Sequence, residues 1–363
     1  MTRKYEIACI DGDGIGPEVC QSAVQVLKQA CGGGGLLNFS HHDGGAAHYT
    51  RTGEVLPPDT FAACQQADAM LHGAAGLPGV TYPDGTEVGN DLHLQLRFRL
   101  DLFANVRPIR LYEGAESPLK HWKGGEIDYV IVRENTEGLY ASRGGGIVLR
   151  GEVATDTIVV TRKGVERVAK FAFELSRKRG GAPRDGKRRV TCCDKANILR
   201  SYAFFRHVFN EVAAGFPDVE TDYAYADAIT VHLVKRPDFY DVIVAENMFG
   251  DIISDLGAAT VGGMGMSASA ELGERHGLFQ GAHGSAPDIA GLDVASPVAT
   301  ILSGALMLRW LGDRHGDAAL GDAAARVEGA VEAVLREGVV LPRDLGGTAS
   351  CSGITAAVCR ALG

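Results

Sequence analysis

Short apolar runs and amphipathic stretches alternate along most of the chain, and this alternation restricts the fold more than any other feature. Strand-like runs fall near 5–10, 36–40, 69–72, 103–109, 127–133, 155–161, 188–193, 219–225 and 240–245. Helices fit 18–31, 58–67, 162–179, 199–214, 247–260, 297–311 and 320–338, and a polar helix fits 91–99. A strand, a crossing helix and a second strand form a parallel pair. The series therefore predicts an α/β fold with a largely parallel sheet flanked by helices. At 363 residues the chain is long enough to divide into two lobes. The glycine-rich stretch 142–146 reads as a flexible turn that, with the strand-like segment after it, would form a protruding arm.

A formal net charge of −9 argues against nucleic acid or a membrane surface as partner. The basic run from Arg162 to Arg189 is interleaved with Val165, Val168, Ala169, Ala172 and Leu175, which makes it an amphipathic helix with a charged outer face. The 8 cysteines form no C-x-x-C pair and sit in apolar segments, as expected in a reducing cytoplasm. The first residues run straight into a strand without the pattern of a signal peptide, and no apolar run reaches the ~20 residues of a membrane span.

Five constellations suggest chemistry. Asp251 and Asp255 lie four apart after the apolar run 240–245, so both carboxylates project from one helix face where a strand ends. With Asp227 they suit a hard divalent cation; without a cation they would be two spare acids on a solvated helix. Arg97, Arg107 and Arg133, with Tyr140, offer guanidinium forks for a substrate bearing two or three carboxylates. Lys195 follows a strand, either as a turn lysine or as a base whose pKa a nearby metal lowers. The loop from His283 through Gly284, Ser285, Ala286, Asp288 and Ile289 is a rigid polar connector that could present backbone donors to a phosphate and Asp288 to a ribose hydroxyl. The run Gly12-Asp-Gly-Ile-Gly-Pro17 lacks both dinucleotide-fingerprint and P-loop spacing and reads as a strand–turn–helix.

In order and spacing these motifs resemble the β-decarboxylating dehydrogenases that act on isocitrate, homoisocitrate, 3-isopropylmalate, tartrate or D-malate. The resemblance runs from Gly12 to Leu345-Gly-Gly-Thr. It implies a two-lobed isopropylmalate-dehydrogenase-like fold, with residues 1–104 and 263–363 in a cofactor-side lobe, 105–262 in a substrate, metal and dimerisation lobe, and an active cleft between them. It also implies that Asp227, Asp251 and Asp255 hold Mg²⁺ or Mn²⁺ and that Lys195 helps take the hydroxyl proton. Tyr140 would protonate the enolate, and Arg97, Arg107 and Arg133 would clamp the carboxylates of a hydroxy-dicarboxylate or tricarboxylate. A homodimer is implied, with Lys195 and Asp227 reaching the neighbour's site. Relatives using NADP carry a lysine-tyrosine pair where this chain has Asp288-Ile289, so NAD is implied.

Departures from the family pattern bear on the substrate and on the cofactor. Isocitrate enzymes place a serine at the position of Asp91. Isopropylmalate enzymes place a glutamate and two leucines where this chain has Asn90, His93 and Leu94. The polar face of Asn90 and His93 favours a polar substituent of isocitrate or homoisocitrate type; His93 would pair with an anion or merely cap the pocket. 3-Isopropylmalate and tartrate or D-malate are the alternatives. Gln280 replaces a glutamate, Ser296 an asparagine and Ala268 a proline, all on the cofactor side. A non-catalytic regulatory subunit is the alternative of another class, but such subunits usually lose the tyrosine, the lysine or an aspartate, all of which this chain keeps.

Overall fold

The computed structural model describes residues 3–33 and 35–363. In chain order its strands are β1 (Tyr5–Gly12), β2 (Leu37–His42), β3 (Ala69–Ala74), β4 (Ala104–Arg110), β5 (Asp128–Glu134), β6 (Ile147–Leu149), β7 (Val153–Thr155), β8 (Arg189–Asp194), β9 (Glu220–Tyr225), β10 (Val242–Ala245), β11 (Ala268–Leu272) and β12 (Gly277–Gly281). The chain forms two compact units. One comprises the residues up to Leu102, Tyr112–Glu116 and Gly262–Gly363; the other comprises Phe103–Leu111 and Ser117–Val261.

In the first unit the strand order is β2-β1-β3-β12-β11. β1 is parallel to β2 and β3, β12 is parallel to β3, and β11 closes antiparallel on β12. β1 is apolar at successive positions because both its faces are covered. Ala8 and Ile10 meet Cys64, Met70, Leu92, Leu96 and Leu278 in one core cluster. The helices Gly16–Ala30 and Val298–His315 pack against β3 and against β11 and β12.

In the second unit β5, β10, β8 and β9 are parallel neighbours, and β4 runs antiparallel to β5. The helix Arg162–Lys178 buries Val165, Val168, Ala169, Ala172 and Phe173 and turns its basic residues outward, as its spacing demands. Thr161 caps its first turn, its hydroxyl accepting from the Gly164 N–H at 3.0 Å. Arg133, Lys195, Asp227 and the helix Asn247–Thr260 all lie at or just after the carboxyl ends of parallel strands, where α/β sheets build their sites.

One local expectation needs correction. The run 155–161 is not a strand: β7 stops at Thr155, and only an isolated bridge joins Val159 to Gly138. β6 and β7 instead pair as an exposed hairpin that leaves Ile147, Val148, Leu149 and Val153 uncovered. Ala226–Lys235 is a helix although Ile229, Thr230, Val231 and Val234 favour strands, because burying Ile229 and Leu233 one turn apart outweighs that preference. β11, β12 and the helices Ala46–Thr52 and Cys351–Leu362 were also not legible in the sequence. Among the described residues no helix is long and apolar enough to cross a membrane.

Candidate active site

The helix Asn247–Thr260 presents Asp251 and Asp255 on one face, and arginines from two strands meet them. Asp251 Oδ1 accepts from Arg133 Nη1 and from Arg107 Nη2, the latter at 3.4 Å. Its Oδ2 accepts from the Tyr140 hydroxyl at 3.0 Å. Asp255 Oδ1 accepts from Arg107 Nη1 at 3.1 Å. The Arg107 and Arg133 side chains are 10% and 3% exposed, whereas Asp255 is 59% exposed. Partial desolvation and then the nearby Asp251 carboxylate push the Asp255 carboxyl above its ordinary range, and Arg107 opposes them. The structure thus brings together five of the residues singled out in the sequence. Two guanidinium groups balance two carboxylates. A cation on the aspartates would release both arginine forks for an incoming carboxylate, so metal and anionic substrate would favour each other's binding.

Lys195 and Asp227 form a separate pair in the same unit. Lys195 Nζ lies 2.5 Å from Asp227 Oδ1, and this ammonium holds the Asp227 carboxyl below its ordinary range. The two residues line a hollow of about 240 Å³ with Phe249, Ile252 and Ile253, which lie on a different side of the Asn247–Thr260 helix from its aspartates. Within one chain Asp227 therefore stands apart from Asp251 and Asp255. Among the described residues no group of three or more His, Cys, Asp or Glu side chains is placed to hold a metal ion. Asp251 and Asp255 offer only carboxylate oxygens, the donors a hard divalent cation takes, but one chain supplies just these two.

The remaining substrate candidates belong to the other unit. Arg97 places Nε and Nη2 on the carboxylate of Glu271, at 3.1 and 2.7 Å. The fork expected to meet a substrate carboxylate already holds one from the protein. His93 packs edge-on against His72, with ring centroids 4.5 Å apart. Burial and then the neighbouring His93 push the His72 imidazolium pKa down to about 3, so His72 is neutral. Leu94 is buried and Asn90 is exposed just before the helix. His93 is thus one half of a packed imidazole pair, which weakens its reading as an anion contact and with it the polar pocket.

The glycine run after β1 turns out to be a clasp. The buried Asp13 carboxylate accepts from the backbone N–H groups of Ala46, Ala47 and Gly76, each at 2.8 Å. A Cβ on Gly14 would sit 1.9 Å from the Ser285 carbonyl oxygen, which also accepts from Ile15 N–H at 2.8 Å. Ser285 Oγ donates to the Gly76 carbonyl. This clasp fixes the 283–286 turn, in which Ala286 has a φ of 37°. His283 Nδ1 lies 3.0 Å from the Gly284 carbonyl oxygen, and loss of solvent keeps the ring's pKa low. Asp288 is exposed beside Ile289, which packs on Ile15, Val19 and Ala295. That places a carboxylate next to an apolar surface, a combination suited to an adenosine. Ser296 Oγ reaches the Gly265 carbonyl at 3.3 Å.

Sequence reading did not pick out Glu134, which follows Arg133 and is 2% exposed. Its carboxylate accepts from Thr136 N–H and Oγ–H and from Glu137 N–H. Burial nevertheless pushes its pKa from 4.5 to about 7, the Thr136 hydrogen bonds opposing. The folded protein thus keeps a proton that the unfolded chain has lost, and stability must fall as pH rises from about 4.5 to about 7. Glu134→Gln is expected to remove this slope, a change of about 3 kcal/mol across the window. Unfolding in urea at several pH values, wild type against variant, measures it; parallel curves would contradict it.

Comparison with known proteins places these observations in a family. The family model for isocitrate/isopropylmalate dehydrogenase matches residues 6–358. The 3-isopropylmalate/3-methylmalate dehydrogenase of Methanocaldococcus jannaschii is 42% identical over 344 residues, covering 94% of each chain. The 3-isopropylmalate dehydrogenase of Rhodococcus jostii is 44% identical and covers 91% of this chain and 94% of its own. The crystal structure of isocitrate dehydrogenase from Methylococcus capsulatus superposes with a TM-score of 0.86 at 34% identity, covering 99% of both chains. The chain belongs to the isocitrate/isopropylmalate dehydrogenase family and is a β-decarboxylating dehydrogenase.

Proposed function

We propose that the protein oxidises and decarboxylates a malate carrying an alkyl group at C3, of the 3-isopropylmalate or 3-methylmalate class, using NAD and Mg²⁺ or Mn²⁺. The observation that carries this reading is the pairing of Asp251 and Asp255 with Arg107, Arg133 and Tyr140 on one helix face. Relatives more than 40% identical over nearly the whole chain carry the names of enzymes acting on 3-isopropylmalate. They favour an alkyl substituent over the isocitrate-type one suggested by Asn90 and His93.

Arg107 and Arg133 bind the malate carboxylates as bidentate forks. Asp251 and Asp255, with Asp227 of a second copy, would hold the divalent cation; when bound, the cation would stabilise negative charge on the substrate oxygens and NAD would accept the hydride. Lys195, once its ammonium has given up a proton to solvent, would receive the proton of the 2-hydroxyl as the neutral amine. Tyr140, whose hydroxyl already points at Asp251, delivers a proton to the carbon that loses CO₂. Asp288 would accept from the free 2′-hydroxyl of the adenosine ribose and repel a 2′-phosphate. The second copy is supported by apolar side chains left uncovered in the unit that carries Lys195 and Asp227: Ile198 is 69% exposed, Ile252 56% and Val231 50%. The reading places the enzyme in the cytoplasm, in keeping with eight unbridged cysteines, all but Cys31 buried.

A substrate panel tests the proposal. With Mn²⁺ and NAD, kcat/KM for 3-isopropylmalate or 3-methylmalate is expected to exceed that for isocitrate, homoisocitrate, D-malate and tartrate by at least roughly tenfold. Isocitrate or homoisocitrate ranking first would restore the polar reading, and no turnover of any of them would sink the proposal.

A further inference from the structure

We infer that Asn247 is a positioning residue for substrate binding, whose amide oxygen fixes the Arg133 fork. The inference rests on the reaction proposed above. Asn247 is fully buried in the first turn of the Asn247–Thr260 helix. Its Oδ1 accepts from Arg133 Nε at 2.9 Å and from Nη2 at 2.7 Å. Its Nδ2 donates to the Glu137 carbonyl at 2.9 Å. One amide therefore ties the arginine to the 137–140 segment that ends in Tyr140.

The geometry explains why this arginine has one direction available. An arginine side chain has four rotatable bonds and, untethered, spreads over many rotamers. Asn247 engages one edge of the fork and leaves Nη1 on the side of Asp251. Gly250 completes the seat. A Cβ there would lie 2.6 and 2.7 Å from Arg133 Cβ and Cγ, so the arginine stem crosses the helix where a side chain is missing. The same helix treats Arg107 in the same way. Ser254 Oγ accepts from Arg107 Nη1 at 2.7 Å and donates to the Asp251 carbonyl at 2.8 Å. The sequence Asn247-x-x-Gly250-Asp251-x-x-Ser254-Asp255 then divides cleanly: its carboxylates would serve a cation, and its neutral polar residues and glycine aim the two arginines.

Asn247→Ala in the full-length enzyme tests the assignment. The KM for the preferred hydroxy acid is expected to rise at least tenfold, with the KM for NAD within twofold of wild type. The rise in unfolding midpoint that the hydroxy acid induces with Mn²⁺ should shrink in parallel. In an Arg133→Lys background, where the bidentate grip is already lost, the same substitution is expected to add less than twofold to the hydroxy-acid KM. Full multiplication of the two effects, or an Asn247→Ala enzyme with unaltered hydroxy-acid KM, would overturn the inference. Should Asn247→Ala fail to fold, Asn247→Asp keeps the shape and the acceptor oxygens but loses the donor to Glu137. Its hydroxy-acid KM is expected within threefold of wild type, and a KM as high as that of Arg133→Lys would also overturn the inference. These outcomes are read only against an active wild type. A wild type that turns over no 3-substituted malate defeats the proposed reaction instead.

Discussion

Asp251→Asn is expected to lower kcat/KM by on the order of 10³-fold while leaving the fold intact. The substitution preserves shape and keeps an oxygen for the Tyr140 hydroxyl, which now sits 3.0 Å from Asp251 Oδ2. It removes the charge that both arginines meet and that a hard cation would need. A bound cation contributes several kcal/mol of charge stabilisation to such a reaction, and each ~1.4 kcal/mol is a tenfold change in rate. Loss of one of its carboxylates therefore carries a penalty of about three powers of ten. Asp255→Asn should cost less, because Asp255 is 59% exposed and meets one arginine rather than two. Mn²⁺ titration followed by electron paramagnetic resonance gives an independent readout: the variant should bind the ion at least roughly tenfold more weakly. An Asp251→Asn enzyme within tenfold of wild type in kcat/KM, or undiminished Mn²⁺ affinity, would remove the basis for the proposed chemistry.

The parts of this molecule that could be read from sequence are those governed by local periodicity. The helix Asn247–Thr260 follows directly from apolar spacing, as do the buried runs of β1, β5, β8 and β10. The apposition of Asp251 with Asp255 needs only helical geometry. Pairings across elements have no such signal. Nothing in the spacing of Arg97 announces Glu271, which comes from β11 and takes up the guanidinium. His93 lies on the face where a specificity residue was expected, but its neighbour His72 arrives from β3, and packing between two imidazoles cannot be read from either segment alone. Asp13 shows the same limit from the other side. The glycines around it suggested a turn, whereas its three backbone partners lie more than thirty residues away and turn the motif into a clasp. Asn247 and Ser254 were visible as letters of a motif, yet their role appears only once β4 and β5 bring Arg107 and Arg133 alongside.

Lys195→Ala is expected to reduce kcat by roughly 10²- to 10⁴-fold, the range lost with a positioned proton acceptor. The more telling result comes from combining it with Asp251→Asn. Within one chain Lys195 and Asp227 share a hollow with Phe249, Ile252 and Ile253, while Asp251 and Asp255 face Arg107 and Arg133. If one working site draws Lys195 and Asp227 from one copy and Asp251 and Asp255 from the other, each homodimer of a single variant is dead at both sites. A hybrid dimer then concentrates both lesions in one site and leaves the second intact. Random exchange of equal amounts makes half the dimers hybrid, each with one good site of two, so about a quarter of wild-type activity should return. Tagging the two variants differently and isolating the hybrid should raise recovery to about half. Hybrids that form and remain inactive would show that Lys195 serves the aspartates of its own chain or none at all. A Lys195→Ala homodimer with wild-type kcat would exclude this lysine as the proton acceptor.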